Sequence, residues 1–376
     1  MLGYGIVIPI LYAYTKKFGV TDFQNGLLFA AFSVCQFIAT PIIGRMSDKY
    51  GRRPMLLVSI IGTAVSFVMM AFAPNMLVLF LARMLDGITA GNVPVIFAII
   101  SDTTKPENRA RAFGLIGSAF SLGFIFGPAI SAFTIGFGDA VPFLIAAVIT
   151  LIATALAALY LPETNQNMNE VKKGKLFDFV KMWHTLFDPN VGATFMISMV
   201  FFLAFACAMM YGFQPFTMHV LKLTASQNAL LFTMFGLIGF ISQNLFVGRV
   251  TKALGMKKAF AFGLTMTSLA FFIMFMSNSL IPFVVGLIML ALFNSVSQTL
   301  IPTILSQEAD AKSQGTIMGL NASYQSIGMI FGPILGGVVA TKLVTLPFLV
   351  GALLVGVCIA LSTQVLKPGV KKESVF

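Results

Sequence analysis

The sequence predicts an all-α membrane protein: twelve transmembrane helices in two pseudo-symmetric six-helix bundles. Three observations carry that prediction. Of the 376 residues, 58% are hydrophobic and only 10% charged, against roughly 25% charged in a soluble domain. The apolar stretches recur at lengths near 20, about what an α-helix needs to cross a ~30 Å hydrocarbon core, and they are continuous rather than alternating, which argues against a sheet barrel. Two stretches of the first half also recur in the second at nearly one offset.

Taken in order, segment one covers residues 1–14. As helix it spans about 21 Å, short of the hydrocarbon thickness, so the first helix is expected to be incomplete and to continue upstream. Segments two to six cover 23–43, 54–73, 76–101, 112–134 and 141–161, with the tight turn "APN" at Ala73–Asn75 between three and four. The longest polar stretch, Pro162–Asn190, contains "NQNMNEVKKGK" and reads as a cytoplasmic linker. Segments seven to twelve cover 191–214, 226–247, 258–277, 280–305, 315–339 and 344–366, with "SNS" at Ser277–Ser279 as a second tight turn. The expected domains are a bundle over 1–161, the linker 162–190, a bundle over 191–366 and a cytoplasmic tail, 367–376.

The net charge of +11 raises the question of a nucleic-acid partner, and its placement excludes one. Of the 24 Lys and Arg, 19 lie in alternate loops: Arg45–Arg53, Lys105–Arg111, Lys172–Lys181, Arg249–Lys258, Lys312 and Lys367–Lys372. The opposite loops hold only Lys16, Lys17, Lys222 and Lys342. That bias follows the positive-inside rule and puts both termini in the cytoplasm. Cys35, Cys207 and Cys358 are scattered through apolar runs and read as small buried hydrophobes; with His184 and His219 isolated, no metal spacing emerges. A phosphate-binding G-x-x-x-x-G-K-[ST] loop is missing from the sequence, as is a plausible enzyme constellation, so an ion gradient rather than ATP or a cofactor is the expected energy source.

The repeat is carried by two pairs. "GRMSDKYGRR" from Gly44 recurs as "GRVTKALGMK" from Gly248, and "FGLIGSAFSLGFIFGP" (Phe113–Pro128) recurs as "MGLNASYQSIGMIFGP" (Met318–Pro333). Gly123 and Gly127, like Gly328, Gly332 and Gly336, form G-x-x-x-G faces on which helix backbones approach closely, while Pro128 and Pro333 break the hydrogen-bond ladder. Those positions serve either as packing faces or as hinges. Gly44 and Gly51 are expected to permit a tight turn and close helix approach. Asp48 suits a helix N-terminus, whose dipole attracts an acid.

These motifs resemble those of the major facilitator superfamily. "GRMSDKYGRRP" matches its G-x-x-x-D-x-x-G-R-R signature; "GFIFGP" and "RMLDGITAG" are similar to motifs of its drug–proton antiporter branch, and "LGYGIVIP" to the first helix of the twelve-helix tetracycline and multidrug exporters. The resemblance covers the whole chain. It implies that Gly44, Asp48, Gly51, Arg52, Arg53, Asp102 and Arg111 form a cytoplasmic gate, with Asp48 bonding the start of segment eleven near Gln314–Thr316. Simple positive-inside anchoring is the alternative for Arg52 and Arg53. Lys252 replaces the acid in the second copy, so the switch is expected to be one-sided. Ser131 and Ala132 stand where this branch commonly has Gly.

Arg83 and Asp86 are the conspicuous charges. Counted from Asn75, they lie roughly 12 and 16 Å into segment four, on one helix face. An ionised group at that depth costs ~2.5–3.5 kcal/mol unless it meets a partner or a wet cavity. An acid held between burial and a neighbouring guanidinium can load and unload a proton as water access alternates, so Asp86 is the expected proton site and Arg83 its tuner. A static ion pair locking the bundle is the competing reading. Relatives often carry a neutral polar residue at the Asp86 position, and many have an acid just before the position of Met1, to which coupling would then belong.

With 39 Phe and 22 Met, the pathway is expected to be apolar and able to re-pack around varied ligands. Gln36, Asn92, Gln214, Asn294, Gln298 and Tyr324 are the expected polar lining of the substrate cavity. The reading is a monomeric secondary transporter exporting hydrophobic or cationic compounds against protons. Transport of a defined metabolite or lipid headgroup, or a receptor on the same fold, are the alternatives.

Overall fold

In the computed structural model, the described residues are 1–105, 108–165, 179–308 and 314–366. The first half supplies α1 (Leu2–Lys16), α2 (Asp22–Tyr50), α3 (Arg52–Ala71), α4 (Met76–Thr89), α5 (Val93–Thr103), α6 (Arg109–Thr134) and α7 (Val141–Tyr160). A short α8 (Phe179–Leu186) precedes α9 (Gly192–Phe205), α10 (Phe213–His219), α11 (Ala225–Ile241), α12 (Val247–Leu254), α13 (Met256–Met276), α14 (Leu280–Glu308), α15 (Gln314–Ala340) and α16 (Leu346–Ser362).

Ten helical stretches among the described residues are long and apolar enough to cross a membrane; α16 is a shorter apolar helix, and α1 has 15 residues. Three expected segments are interrupted without losing their direction. A 3₁₀ turn, Ala90–Asn92, joins α4 to α5. π-helical turns, Ala206–Gly212 and Ser242–Phe246, join α9 to α10 and α11 to α12. Such turns are local faults in the hydrogen-bond ladder, and each of these lies within an expected membrane segment.

The chain forms two compact units. The first comprises Met1–Val20, Ala31–Phe177 and Thr224–Thr233; the second comprises Thr21–Ala30, Asp178–Leu223 and Met234–Phe376. The two exchanged decapeptides begin alike: "TDFQNGLLF" from Thr21 and "TASQNALLF" from Thr224. Each opens its helix with a capping box. Thr21 N–H donates to Gln24 Oε1 and Gln24 N–H to Thr21 Oγ1; Thr224 and Gln227 repeat the pattern. Within the first unit, Ser226 Oγ donates to the Ala132 carbonyl at 2.6 Å and Asn228 Nδ2 to the Pro9 carbonyl at 3.2 Å. Within the second, Tyr211 OH donates to the Asp22 carbonyl at 2.6 Å.

Small residues bring helices close at matching places in the two units. A Cβ added at Gly127 would sit 2.6 Å from Gly5, and one at Gly5 would run into the Gly123 carbonyl, so α1 and α6 touch backbone to backbone. A Cβ at Gly328 would lie 2.6 Å from Leu203 N, and one at Gly332 2.5 Å from Ala206, which brings α15 equally close to the α9 stretch. Pro128 and Pro333 are carried inside α6 and α15, and both are buried. Ser131, where Gly is commoner, donates its hydroxyl to the Ile6 carbonyl, turning the departure into an extra α1–α6 bond.

Candidate functional site

Arg83 and Asp86 lie on α4, which starts where Asn75 Oδ1 accepts the Val78 N–H at 3.0 Å. One turn apart, they bond directly: Arg83 Nη1 to Asp86 Oδ2, 2.6 Å. Their side chains are 1% and 5% exposed, respectively. The guanidinium carbon lies 4.4 Å from the centroid of the Phe32 ring, a cation–π contact, and the Tyr4 ring lies tilted beside Phe32 at 5.4 Å. Gly87 and Gly91 press α4 and its 3₁₀ turn onto α2: a Cβ at Gly87 would meet the Phe32 carbonyl, and one at Gly91 would lie 2.9 Å from Thr40 N. Arg83 Nε makes no hydrogen bond among the described residues.

Just beyond the pair, the helix breaks. Pro94 has no N–H to return to the Ala90 carbonyl. Gln36 of α2 fills that place, its Nε2 donating to Ala90 O at 3.2 Å. Around the same turn, Asn92 Nδ2 donates to Ser59 Oγ at 2.8 Å, Ser59 Oγ donates to the Thr89 carbonyl, and the Thr63 and Thr89 hydroxyls lie 2.8 Å apart. Gln36 and Asn92, expected to line a cavity, thus spend hydrogen bonds on holding a broken helix. Tyr324, expected in the same lining, is likewise occupied. It is 1% exposed, its ring packs 4.9 Å from Phe195, and its hydroxyl donates to the Met182 carbonyl at 2.6 Å. A phenol buried to its tip and bonded to α8 is a packing strut. Gln214 is fully buried on α10, Asn294 is 5% exposed on α14, and Gln298 is half-buried one turn further along.

The loop after the second segment is shorter than expected. α2 runs on through Tyr50, so Gly44 and Asp48 are helical and Gly51 alone makes the turn. Gly44 therefore serves no turn, and a Cβ there would meet only Pro94 at an ordinary 3.7 Å. Gly51 has φ +104°, a conformation that side chains disfavour, and a Cβ on it would lie 2.5 Å from Glu163 Oε2. Arg52 gathers the acids: its guanidinium bonds Asp48 Oδ1, Ser47 Oγ at 2.8 Å and Asp102 Oδ2 at 3.4 Å. Arg53 donates to the Ala158 carbonyl. The Arg111 side chain and the Gln314 side chain expected opposite Asp48 lie outside the described residues.

Sequence reasoning missed the group that organises this corner. Glu163 caps α3, accepting the Arg52 N–H at 2.9 Å and the Arg53 N–H at 3.1 Å, and also the backbone N–H groups of Thr164 and Asn165, both at 2.9 Å. Partial burial pushes its carboxyl up, but the four backbone donors outweigh that and hold it below the ordinary glutamate value. Asn165 Nδ2 donates to the Asp48 carbonyl at 2.7 Å and Thr164 Oγ1 to Asp102 at 3.2 Å, so the first residues of the linker are stitched to α2, α3 and α5. The sequence signalled only an acid directly after an apolar segment's end; that it meets the glycine turn is a property of the fold.

Comparison with known proteins agrees with this arrangement along the whole chain. The Major Facilitator Superfamily model matches residues 1–245 and 196–375. The chain is 29% identical to Multidrug resistance protein 2 of Bacillus subtilis over 93% of its own length and 88% of that protein's. It is 30% identical to the class B tetracycline resistance protein of Escherichia coli over 90% and 85% of the two lengths. Among solved structures, the human organic anion transporter MFSD10 (TETRAN) superposes with a TM-score of 0.71 at 21% identity, covering 96% of this chain and 95% of that one. A bacterial homolog of the human lysosomal transporter Spinster gives 0.77 at 14% identity, covering 98% and 96%. With the family model matched along nearly its whole length, this chain is a membrane transporter belonging to the Major Facilitator Superfamily.

Proposed function

We propose that the protein is a proton-coupled exporter of hydrophobic, often cationic, compounds, working as a monomer in the cytoplasmic membrane with both termini inside. The carrying observation is the buried Arg83–Asp86 pair within a membrane span. A static lock is stabilising only when every donor is bonded, because desolvating two charges costs several kcal/mol each. Here Arg83 Nε has no hydrogen-bond partner among the described residues. An incompletely satisfied pair is poised for exchange: a proton arriving on Asp86 discharges the carboxylate and releases Arg83, and re-forming the pair expels the proton. A cationic substrate competes with Arg83 for the same carboxylate. Alternating exposure of the pair to the two faces then ties substrate export to proton entry, drawing on ~2.3 kcal/mol per charge for each 100 mV.

The relatives named for multidrug and tetracycline resistance support that substrate class. Gly44, Asp48, Gly51, Arg52, Arg53, Asp102 and Arg111 form, in this reading, the cytoplasmic gate. Glu163 holds its geometry by capping α3. The glycines at 123, 127, 328 and 332, with Pro128 and Pro333, are close-packing seams.

The full chain in vesicles with an imposed pH gradient, carrying ethidium as cationic probe, tests the coupling. Asp86→Asn is expected to abolish gradient-driven movement while the protein keeps its helix content and melting behaviour. Full transport by Asp86→Asn, or wild-type transport that survives collapse of the gradient, would remove the coupling role. Loss of folding in that variant would favour the static lock, to which the 1% and 5% side-chain exposures point.

A further inference from the structure

α8 is too short to span a membrane, yet it shows an apolar face outward. Val180, Trp183 and Phe187 are 65%, 64% and 62% exposed. Their spacing, with exposed His184 between them, places them in one stripe along the helix and the residue after it. The Trp183 and Phe187 rings lie 5.2 Å apart and form a single aromatic pad.

The opposite face is fastened. Met182 and Thr185 are buried, and the Met182 carbonyl accepts the Tyr324 hydroxyl. The turn into α9 is equally fixed. Asp188 Oδ1 accepts the Asn190 N–H at 2.8 Å, the Asp188 carbonyl accepts the Gly192 N–H at 2.9 Å, and a Cβ at Gly192 would collide with the Leu186 carbonyl. The stripe is therefore held outward by its surroundings rather than left there by a loose linker.

Its level in the second unit is marked by polar groups. Glu308, at the end of α14, accepts from Thr194 Oγ1 in the first turn of α9 at 2.7 Å and from the Leu366 N–H beyond α16 at 3.0 Å. A carboxylate gathering three helix ends belongs at the boundary of the hydrocarbon, and α8 precedes α9 by five residues. Indole and phenyl groups at that boundary bury their apolar surface while the indole N–H stays in the polar headgroup layer.

We propose that α8 is an interfacial anchor, with Val180, Trp183 and Phe187 seated among phospholipids at the junction of headgroups and acyl chains, setting the depth of α9. The proposal rests on the membrane-spanning fold and not on the coupling role of Asp86, so either can fail alone.

Trp183 is the one tryptophan in the sequence, so its fluorescence reports on this face without labelling. The full chain is reconstituted in phosphatidylcholine vesicles whose acyl chains are brominated either near the carbonyl end or near the methyl end. Quenching at least about twofold stronger by the shallow label, blue-shifted emission and protection from aqueous iodide are expected. Val180→Asp, on the exposed face, is expected to shift the emission to the red and roughly halve the shallow quenching. Strong iodide quenching with no effect of either lipid would show a face in water and overturn the proposal. Stronger quenching by the deep label would overturn it too. Emission that follows the protein-to-lipid ratio instead would give the face to a second copy of the chain.

Discussion

Met76–Thr103 and Leu280–Glu308 begin after matching turns, Ala73–Asn75 and Ser277–Ser279, yet their interiors differ. In the register that pairs Gly44 with Gly248, Arg83 corresponds to Leu287 and Asp86 to Leu290, and both leucines are fully buried. The first span is broken at Ala90–Asn92, whereas α14 is continuous over 29 residues. The polar groups at the break are bonded by Gln36, Ser59, Thr63 and Asn92. Along the corresponding seam of α13 and α14, Thr267 Oγ1, Asn294 Oδ1 and Ser297 Oγ make no hydrogen bond among the described residues. A membrane helix at this place in the fold thus needs neither charges nor a break. That difference is the one expected if the first copy's charges have the coupling role proposed for them.

Writing the second copy's residues into the first tests that lesson most severely. Arg83→Leu alone strands a buried carboxylate and is expected to cost about 3–5 kcal/mol, whereas Arg83→Leu with Asp86→Leu is expected to recover wild-type stability or exceed it. Thermal unfolding in detergent checks both, and a double variant no more stable than the single one would break the comparison. A smaller effect separates the broken span from the continuous one. Gln36→Leu orphans the Ala90 carbonyl and is expected to cost about 1–3 kcal/mol. Pro94→Ala restores a backbone donor to that carbonyl, so in its background Gln36→Leu is expected to cost little; additive losses would mean that Gln36 holds something else. The smallest pair sharpens the seams. Thr63→Val loses a hydroxyl contact worth about 1 kcal/mol, while Thr267→Val removes an unbonded hydroxyl and is expected to be neutral or stabilising. Equal losses in a denaturant titration would show the two seams to be alike.

What the sequence disclosed and what it hid follow one physical distinction. Charge inside an apolar run is visible in one dimension, so Arg83 and Asp86 stood out, and their i, i+3 spacing was enough to predict the bond between them. Span limits were legible for the same reason: hydropathy changes over a few residues. Glu163 was not legible, because its partners at Arg52 and Arg53 are 111 and 110 residues away. Gln36 was ambiguous in the sequence because a polar residue in a membrane segment signals either a cavity or a backbone in need of a donor. Only the Ala90 carbonyl, freed by Pro94, decides between the two. Tyr324 carried the same ambiguity, and its hydroxyl bonds the Met182 carbonyl.

The exchanged decapeptides bear on how this chain is made. The first unit includes Thr224–Thr233, whose Ser226 and Asn228 side chains donate to its Ala132 and Pro9 carbonyls. Residues 1–177 leaving the ribosome are therefore an unfinished body, waiting on a strip of polypeptide translated later. A gene severed within the linker should yield fragments that mature only when both are synthesised together.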